Sequence, residues 1–423
     1  MDILLRRGLL VDPASGTERT GDLCVSDGRI VAVGSVPHDF SPVEIIDAAG
    51  LAVCPGLVDL SVRLRHPGFE HRVSPDSELA AAVAGGVTTV VCQPDMDPML
   101  DEPGLVERLV RAAQATGLSR VLPVGALTQG LRGERLAEMV SLAAAGCVAF
   151  SQADQALPDH AVMLRAMQYA STFGLPVWMQ PRDAALSRSG VAHEGAVATR
   201  LGLPGIPSLA ETLAVATLLL MARETGARLH LCRLSSARSV ALVREARAAG
   251  VPVTCDVSAH HVHLCEDDIG YFDTHCRLSP PLRARFDRDA LRAGLADGTI
   301  DAICSDHSPV DADGKQMPFA EADPGAAGLE TLLSLALMAD PGGGLPAALA
   351  PVTTGPARVL GLAAPRLELG AVADICVFDP AERWQVQSGA LVGKGRATPM
   401  DGCELRGRVR ACLVAGQLAF QRS

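Results

Sequence analysis

The sequence has little positive charge for its length and lacks a long apolar run. Its 423 residues carry a formal net charge of −11, with a pI near 5.5. Surfaces that bind nucleic acid need a basic patch, and anionic membranes attract polybasic segments. The longest apolar run, LAVATLLLMA from Leu213, has ten residues, too few to cross a bilayer. We therefore expect no nucleic-acid partner and no membrane partner.

Disulfide and export signals are also missing. The twelve cysteines form no C-x-x-C pair, and many lie inside apolar runs, as Cys92 and Cys304 do. Buried free thiols are typical of proteins from a reducing compartment. The first residues, MDILLRRGLLVD, lack the features of a signal peptide. We expect a cytoplasmic protein, and its 48% hydrophobic content predicts a well-buried globular fold.

Both ends of the chain are rich in short strands separated by turns. The first 50 residues include DLCVSDGRIVAVG, in which Asp27-Gly28 is a hairpin signal between two strand-like runs. The last 55 residues show the same pattern in LELGAVADICVFDP and ELRGRVRACLVAG. We predict one small composite β-sandwich domain, formed by residues 1–54 and 366–423.

The middle of the chain alternates short apolar strands with helical segments. The eight strands predicted between Val58 and Pro309 are LVDLSVRL, TTVVCQPD, RVLPVGAL, CVAFSQ, PVWMQP, ARLHLCRLS, PVTCDVS and AICSD. Continuous apolar strands that alternate with helices indicate a parallel sheet buried on both faces. Eight such units predict an α/β fold, a (β/α)8 TIM-type barrel over residues 55–365. In such barrels the functional residues lie at the C-terminal ends of the strands.

The ends of these strands carry few residues that bind metals. A hydrolytic zinc site needs about three ligands from His, Asp, Glu or Cys and an open position for water. Serine and glutamine bind zinc poorly, and a guanidinium stays protonated. The strand-end positions that matter for this argument are Ser61, Arg63, Gln152, Gln180, Arg233 and Asp306.

Segments along nearly the whole chain resemble the dihydroorotases of the amidohydrolase superfamily. The matching segments, in family order, are PGLVDL-x-V-x-LR-x-PG, AGGVTTVVCQPD, LGLPGIPSLAE, SPPLRAR, DGTIDAICSDHSP, PGAAGLETLL, TTGPARVLGL and LGAVADICVFDP. The resemblance implies the barrel and the composite β-sandwich predicted above. It also implies a metal site in active members, with ligands from the first, fourth, fifth, sixth and eighth strands.

The chain departs from the family at those ligand positions. Five matching positions hold residues that are not metal ligands: Ser61, Arg63, Gln152, Gln180 and Arg233. Only Asp306 remains, and the two lysines, Lys315 and Lys394, lie away from the strand ends, so carbamylation offers no replacement. We therefore predict that zinc and other cofactors are absent and that the chain is not an enzyme.

The resemblance also assigns residues to substrate binding. Arg65 matches the arginine that binds the substrate carboxylate, whereas Asp95 and Ser279 each replace an asparagine. Together with Asp306, these residues form a vestigial site. We further hypothesise that Arg63 and Arg233 fill the former metal space and offset nearby carboxylates, with Asp59, Asp95 and Asp306 as their partners.

The resemblance implies a partner in place of a reaction. Dihydroorotase-like chains without the metal motif associate with aspartate carbamoyltransferase of pyrimidine biosynthesis, typically as six of each chain. We expect this assembly role, together with a homodimer of this chain.

Two other functions stay open. The first is an active amidohydrolase, a dihydroorotase or another cyclic amidase, with a rearranged or mononuclear metal site. Its candidate residues are His230, His260, His261, Asp306 and His307. His230 by itself is more typical of a core histidine, and His66 and His71 are weaker candidates because a loop holds metal geometry poorly. The second is a ligand-sensing barrel that binds through Arg65.

Overall fold

The computed structural model describes residues 2–70, 72–156, 159–339 and 342–422. The strands in chain order are β1 (Ile3–Asp12), β2 (Thr17–Ser26), β3 (Arg29–Gly34), β4 (Glu44–Asp47), β5 (Ala52–Pro55), β6 (Leu57–Val62), β7 (Val87–Cys92), β8 (Arg120–Ala126), β9 (Ala149–Ser151), β10 (Val177–Met179), β11 (Ala192–His193), β12 (Gly205–Ile206), β13 (Leu229–Leu231), β14 (Val253–Ser258), β15 (Ala302–Cys304), β16 (Ile375–Gln385), β17 (Glu404–Val414) and β18 (Gln417–Gln421).

Helices separate most of the central strands. They are α1 (Pro75–Ala84), α2 (Pro103–Ala115), α3 (Met139–Ala144), α4 (His160–Thr172), α5 (Ala184–Ser187), α6 (Ala196–Leu201), α7 (Ser208–Thr225), α8 (Ala237–Ala248), α9 (Ala259–His263), α10 (Arg285–Ala296), α11 (Ala312–Lys315), α12 (Leu332–Met338), α13 (Gly344–Leu349) and α14 (Thr354–Leu360). Short 3₁₀ turns lie in several of the connections.

The two ends of the chain build one eight-stranded sheet. Its order is β18-β17-β16-β5-β1-β2-β3, and β4 pairs with β1. The strand β5 joins the halves, because it runs parallel to β1 and antiparallel to β16. Buried aliphatic side chains from both termini form a separate core here, for example Leu5, Leu23 and Leu413. The predicted strand-rich domain from both termini is thus present.

The central strands form a parallel barrel. Their order is β15-β14-β13-β10-β9-β8-β7-β6, and all eight correspond to the strands predicted from the apolar runs. A parallel bridge between Val62 and His307 joins the first strand to the residues that follow the last one. The amide of Arg63 donates to the carbonyl of His307 at 2.9 Å, and the amide of His307 donates to the carbonyl of Ser61 at 3.0 Å. The predicted (β/α)8 fold is therefore confirmed.

The inside of the barrel is packed with side chains. Every residue of β6 and β7 is buried, as expected for parallel strands covered by helices on their outer face. The interior cluster is Leu60, Val91, Val124, Ala149, Trp178, Cys232, Ala302 and Cys304. The interior is thus filled mainly by apolar side chains, and the ends of the strands are the usual place for polar chemistry in such a barrel.

The cysteines and the apolar helices also bear on the expectations from sequence. All twelve cysteines are free, and all except Cys403 are buried, which confirms buried thiols. In the described part of the chain, no helix is both long and apolar enough to cross a membrane.

Candidate functional site at the mouth of the barrel

Strained backbone marks the C-terminal mouth of the barrel. Arg65, Ala153, Arg233 and Asp306, which follow β6, β9, β13 and β15, have φ values between 50° and 54°. Left-handed backbone costs a non-glycine residue about 1–3 kcal/mol and clusters at functional sites. The strain is held in place by the ion pairs and hydrogen bonds of these same residues. The mouth is therefore the candidate functional site.

Two buried arginines occupy the centre of the mouth. The Nε atom of Arg63 lies 2.7 Å from Asp95, and its Nη2 atom lies 2.8 Å from Asp154. Arg233 pairs with the same Asp154 and, at 2.9 Å, with Asp306. Both arginine side chains are only 3% exposed. We call these five residues the ion-pair cluster.

The charges of the cluster stabilise one another. Although burial opposes ionisation of Asp154, Arg233 and Arg63 hold its pKa well below the usual range. Burial raises the pKa of Asp306 above its ordinary value, against the opposing effect of both arginines. The pKa of Arg63 is raised, because the three aspartates outweigh burial and the repulsion from Arg233. A buried charge without a partner costs several kcal/mol, so the removal of any one member would destabilise the others.

The hypothesis about the arginines needs one correction. Arg63 and Arg233 do face Asp95 and Asp306, but Asp59 is not their partner. The carboxylate of Asp59 accepts hydrogen bonds from the hydroxyl and the amide of Ser305 instead, and burial raises its pKa to about 6. The third carboxylate is Asp154, which the sequence reasoning missed. It lies three residues beyond the end of β9, and no pattern along the chain connects it to Arg63.

The three neutral residues at former ligand positions have different surroundings. The hydroxyl of Ser61 donates to Asp306 at 3.4 Å. The amide oxygen of Gln152 accepts from the backbone and the hydroxyl of Thr128 at 3.1 and 2.8 Å. Gln180 is 4% exposed, and its Oε1 atom has no hydrogen-bond partner. Ser61 and Gln152 are thus built into the protein, whereas Gln180 has unused hydrogen-bonding capacity.

The predicted substrate-binding residues lie beside the cluster. Arg65 donates from Nη2 to the hydroxyl of Ser308 at 3.0 Å, and its Nε atom has no partner. The negative charge of Asp95, which we expected to repel an anionic substrate, is offset by Arg63. The carbonyl of Ser279 accepts from Nη1 of Arg233 at 3.3 Å. All three residues therefore surround the same mouth, as the resemblance implies.

The structure separates the candidate histidines. His307 accepts from the amide of Gly328 at Nδ1 and donates from Nε2 to Glu78 at 2.8 Å. His261 donates from Nε2 to the carbonyls of Pro280 and Pro281. His260 is fully buried, and neither of its ring nitrogens has a partner; burial lowers its pKa to about 3. These histidines do not converge on one point.

Of the two loop histidines the structure describes only His66, which belongs to no group of metal-ligand side chains in the described residues. His66 pairs through Nδ1 with Glu70 at 3.0 Å. His71 lies outside the described residues, so its prediction stays untested.

A hydrolytic metal does not fit the family's usual strand-end positions in this chain. Arginine side chains occupy two of those positions, and their charge would repel a cation. Their partner Asp306 already accepts at Oδ1 from Arg233 and from Ser61. Asp306, the one remaining ligand at these positions, lies beside two arginines and cannot by itself hold a zinc ion, which needs about three ligands.

A different group inside the barrel has suitable donors. In the described part of the chain, one atom each from His230, Cys232 and Asp256 lie within 4.8 Å of one another, and all three residues are buried. His230 Nε2 lies 3.0 Å from Asp256 Oδ2, and its Nδ1 atom lies 2.8 Å from the hydroxyl of Thr254. Imidazole, thiolate and carboxylate are zinc ligands, and three of them leave one position open. By residue type the donor set could hold zinc, with loss of the Cys232 thiol proton, whose pKa burial and the charge of Asp256 raise well above its ordinary value.

This group lies directly beneath the ion-pair cluster. The backbone amide of Arg233, next to Cys232, donates to Asp256 Oδ1 at 2.6 Å, while its guanidinium reaches Asp306. Sequence reasoning included His230 but favoured a core role for it and did not consider Cys232 or Asp256. The signal that could have found Cys232 is the His-x-Cys alternation at the end of β13, which turns both side chains to the same face; no such signal marks Asp256 on β14.

Comparisons with known proteins agree with the resemblance. The family model described as Dihydro-orotase-like matches residues 50–239. The chain is 43% identical to a protein of Pseudomonas aeruginosa named Dihydroorotase-like protein, and 40% identical to a protein of Syntrophotalea carbinolica named Dihydroorotase; both matches cover all of each chain. The solved L-hydantoinase (dihydropyrimidinase) of Arthrobacter aurescens has the same fold. Its TM-score is 0.87 at 22% identity, over 99% of this chain and 95% of that one.

Two predictions are wrong in the light of these findings. The conclusion that the chain is not an enzyme conflicts with end-to-end similarity to proteins named Dihydroorotase. The prediction that zinc and other cofactors are absent conflicts with the group of His230, Cys232 and Asp256, which could hold a metal. Both predictions considered only the strand-end ligand positions. A set of donors one layer deeper in the barrel was not considered.

Proposed function

Because the chain belongs to the dihydroorotase-like family of amidohydrolases, we propose that it hydrolyses a cyclic amide at a rearranged site with one metal ion. The observation that carries this proposal is the group of His230, Cys232 and Asp256, with three zinc-type donor atoms within 4.8 Å of one another. Dihydroorotate is the first substrate to test, because Arg65 matches the family's carboxylate-binding arginine.

Each residue of the site has a role in this proposal. A zinc ion held by His230, Cys232 and Asp256 would supply a Lewis acid that polarises an amide carbonyl. Arg65, held by Ser308, binds the carboxylate of the substrate with its remaining N–H donors. Asp306 makes its contacts to Ser61 and Arg233 through Oδ1, which leaves Oδ2 to accept a proton.

Metal content and turnover test the proposal together. The purified protein should contain about one zinc per chain and should interconvert dihydroorotate and carbamoyl aspartate. The substitutions Cys232→Ser and Asp256→Asn should abolish both properties, since each removes one of three ligands. Cys92→Ser is the matched control, because Cys92 is also a buried barrel thiol but lies outside the group.

Two results would contradict the proposal. One is wild-type protein that stays free of metal after growth and dialysis with zinc. The other is a Cys232→Ser variant that keeps full zinc occupancy, which would place the metal elsewhere. Arg65→Gln should raise the KM for dihydroorotate while zinc content stays unchanged, which separates substrate binding from metal binding.

A second candidate function is association with aspartate carbamoyltransferase in the cytoplasm, as six of each chain built on dimers of this one. The observation that favours it is the charge balance at the mouth: Arg63 and Arg233, with Arg65 beside them, face three aspartates. This balance stabilises the barrel without a bound ligand, as a scaffold requires. The candidate is compatible with either result of the activity assay, and it includes no nucleic-acid or membrane partner.

Co-expression tests the association. This chain and the aspartate carbamoyltransferase catalytic chain of the same organism should elute together in size-exclusion chromatography with light scattering. The expected mass includes six copies of this 44.0 kDa chain. Ornithine carbamoyltransferase serves as a control of similar chemistry that should elute alone. Separate elution of the two co-expressed chains at micromolar concentration would contradict this candidate.

A further inference from the structure

A second pocket opens beside the ion-pair cluster, and its lining is rich in arginine. Its lining includes the polar residues Gln180, Arg182, Glu211, Arg277, Ser279 and Arg283. The space between these atoms, including the open mouth of the pocket, is about 490 Å³. Three of the lining residues are arginines and one is a glutamate, so the pocket has an excess of positive charge.

The single glutamate does not balance the pocket. Glu211 accepts hydrogen bonds from the amides of Ser235 and Ser236 at 3.1 and 3.0 Å. Its carboxylate also lies 3.8 Å from Nη2 of Arg283, and both side chains are 3% exposed. The charge of Glu211 is therefore offset by Arg283, which leaves Arg182 and Arg277 without a compensating carboxylate from the pocket.

Among the lining arginines, Arg277 is the one with the fewest polar contacts. In the described ranges its guanidinium forms no ion pair, and its buried Nε atom has no hydrogen-bond partner. Burial and the charge of Arg182 lower the pKa of Arg277 to about 10, against the opposing charge of Asp323. The side chain of Arg182 is held in place by a hydrogen bond from Nε to the hydroxyl of Ser187 at 2.9 Å. Two cations thus line one cavity, and in the described ranges neither forms an ion pair.

Gln180 provides an independent indication of a ligand. It is 4% exposed and lines the same pocket, and its Oε1 atom is buried without a partner. A buried amide that lacks a partner is costly, and such groups are usually satisfied by a ligand or by water. The amide can present either its oxygen or its NH₂ group to the cavity, since the two are exchanged by a rotation of the side chain.

We propose that this pocket binds a small oxyanion, a carboxylate or a phosphate group, between Arg182 and Arg277, with Gln180 as a further polar contact. Guanidinium groups bind both kinds of anion through paired hydrogen bonds. The pocket shares Gln180 and Ser279 with the vestigial site at the mouth, but Arg65 lies outside its lining and contacts Ser308 instead. The proposal does not rest on catalysis or on a bound metal.

Binding of two simple anions tests the proposal. Inorganic phosphate and succinate are titrated into the full-length protein by isothermal calorimetry at constant ionic strength, with chloride as the reference anion. The two probes distinguish phosphate from carboxylate ligands. We expect saturable binding of at least one probe, and we expect Arg277→Gln to weaken it at least tenfold. Arg223→Gln is the matched control, an exposed arginine on α7 that should leave the affinity unchanged.

Two more variants keep the test decisive. Gln180→Glu changes almost no volume but adds a negative charge, so it should weaken anion binding even if Arg277→Gln folds poorly. Arg65→Gln should leave the anion affinity within twofold of wild type. The proposal is overturned if neither anion binds, or if Arg65→Gln abolishes binding while Arg277→Gln and Gln180→Glu retain it, since the anion would then occupy the site at Arg65.

Discussion

Removal of one arginine from the ion-pair cluster should destabilise the protein strongly. Arg233 is 3% exposed and pairs with both Asp154 and Asp306. In an Arg233→Met variant, Asp306 would keep only Arg63, whose Nη1 atom lies 3.8 Å away. Loss of one partner from a buried ion pair costs about 3–5 kcal/mol. Since a domain typically has about 5–15 kcal/mol of unfolding free energy, the variant should lose a large part of its stability.

The free energy of unfolding that Arg233→Met loses should depend on pH. Arg233 and Arg63 lower the pKa of Asp154 in the folded state. Its contribution to stability is therefore present above the unfolded value of about 3.9 and is lost as the pH falls toward the folded value. In Arg233→Met the carboxylates of Asp154 and Asp306 have lost a neighbouring cation, so they take up protons at a higher pH than in the wild type. The stability difference between wild type and variant should be largest near pH 7 and should shrink toward pH 4.

Urea unfolding followed by circular dichroism at pH 7, 5.5 and 4 measures both effects. The double variant Arg233→Met/Asp306→Asn is the control. It also removes the charge of Asp306, which has lost its partner Arg233, so it should be more stable than Arg233→Met alone. A loss below about 1 kcal/mol at pH 7, the range of exposed ion pairs, would refute the view that the cluster is a buried unit. So would a difference that does not change between pH 7 and pH 4.

Three further outcomes are expected. In the native protein Ellman's reagent should react rapidly with about one thiol, Cys403, and in denaturant with all twelve. Gly355→Ala should cost about 1–3 kcal/mol in urea unfolding, because its Cβ would lie 2.0 Å from a backbone carbonyl oxygen, whereas Gly104→Ala should be harmless, with no atom within 4 Å. Glu78→Gln should cost about 1.5–3 kcal/mol at pH 7, since Glu78 accepts from His307 at 2.8 Å. Although burial opposes it, His307 lowers the pKa of Glu78, so this loss should shrink below about pH 4; a loss that stays constant with pH would count against the pair.

The elements of the fold could be read along the chain because each has a local cause. Continuous apolar runs such as TTVVCQPD become fully buried parallel strands, since both of their faces must be covered. The substitutions at the strand ends were also visible, because strand order fixes where each end lies. Ser61, Arg63 and Arg233 indeed surround one mouth. Side-chain chemistry at a known strand end can therefore be predicted from sequence.

The partners of those side chains could not be predicted, because they depend on contacts between distant segments. Asp154 lies in a loop after β9, and only the closure of the barrel brings it to Arg63 and Arg233. Asp59, which sits near Arg63 in sequence, instead points to Ser305 across the barrel seam. Sharing one face of a strand is a poor guide to ion pairing: Asp59 and Arg63 alternate onto the same face, but the four residues of extended chain between them span about 13 Å.

The sequence by itself determined the barrel, the strand-rich sheet from both termini, and the absence of metal ligands at the usual strand ends, since each follows from residue type at a position within one strand. The tertiary structure decided which charges pair, that His230, Cys232 and Asp256 converge beneath the mouth, and that Arg182 and Arg277 share a pocket. These groupings join residues from different strands and loops. Their distances are set by how the barrel closes and packs, and along the chain only the alternation of His230 and Cys232 indicates any of them.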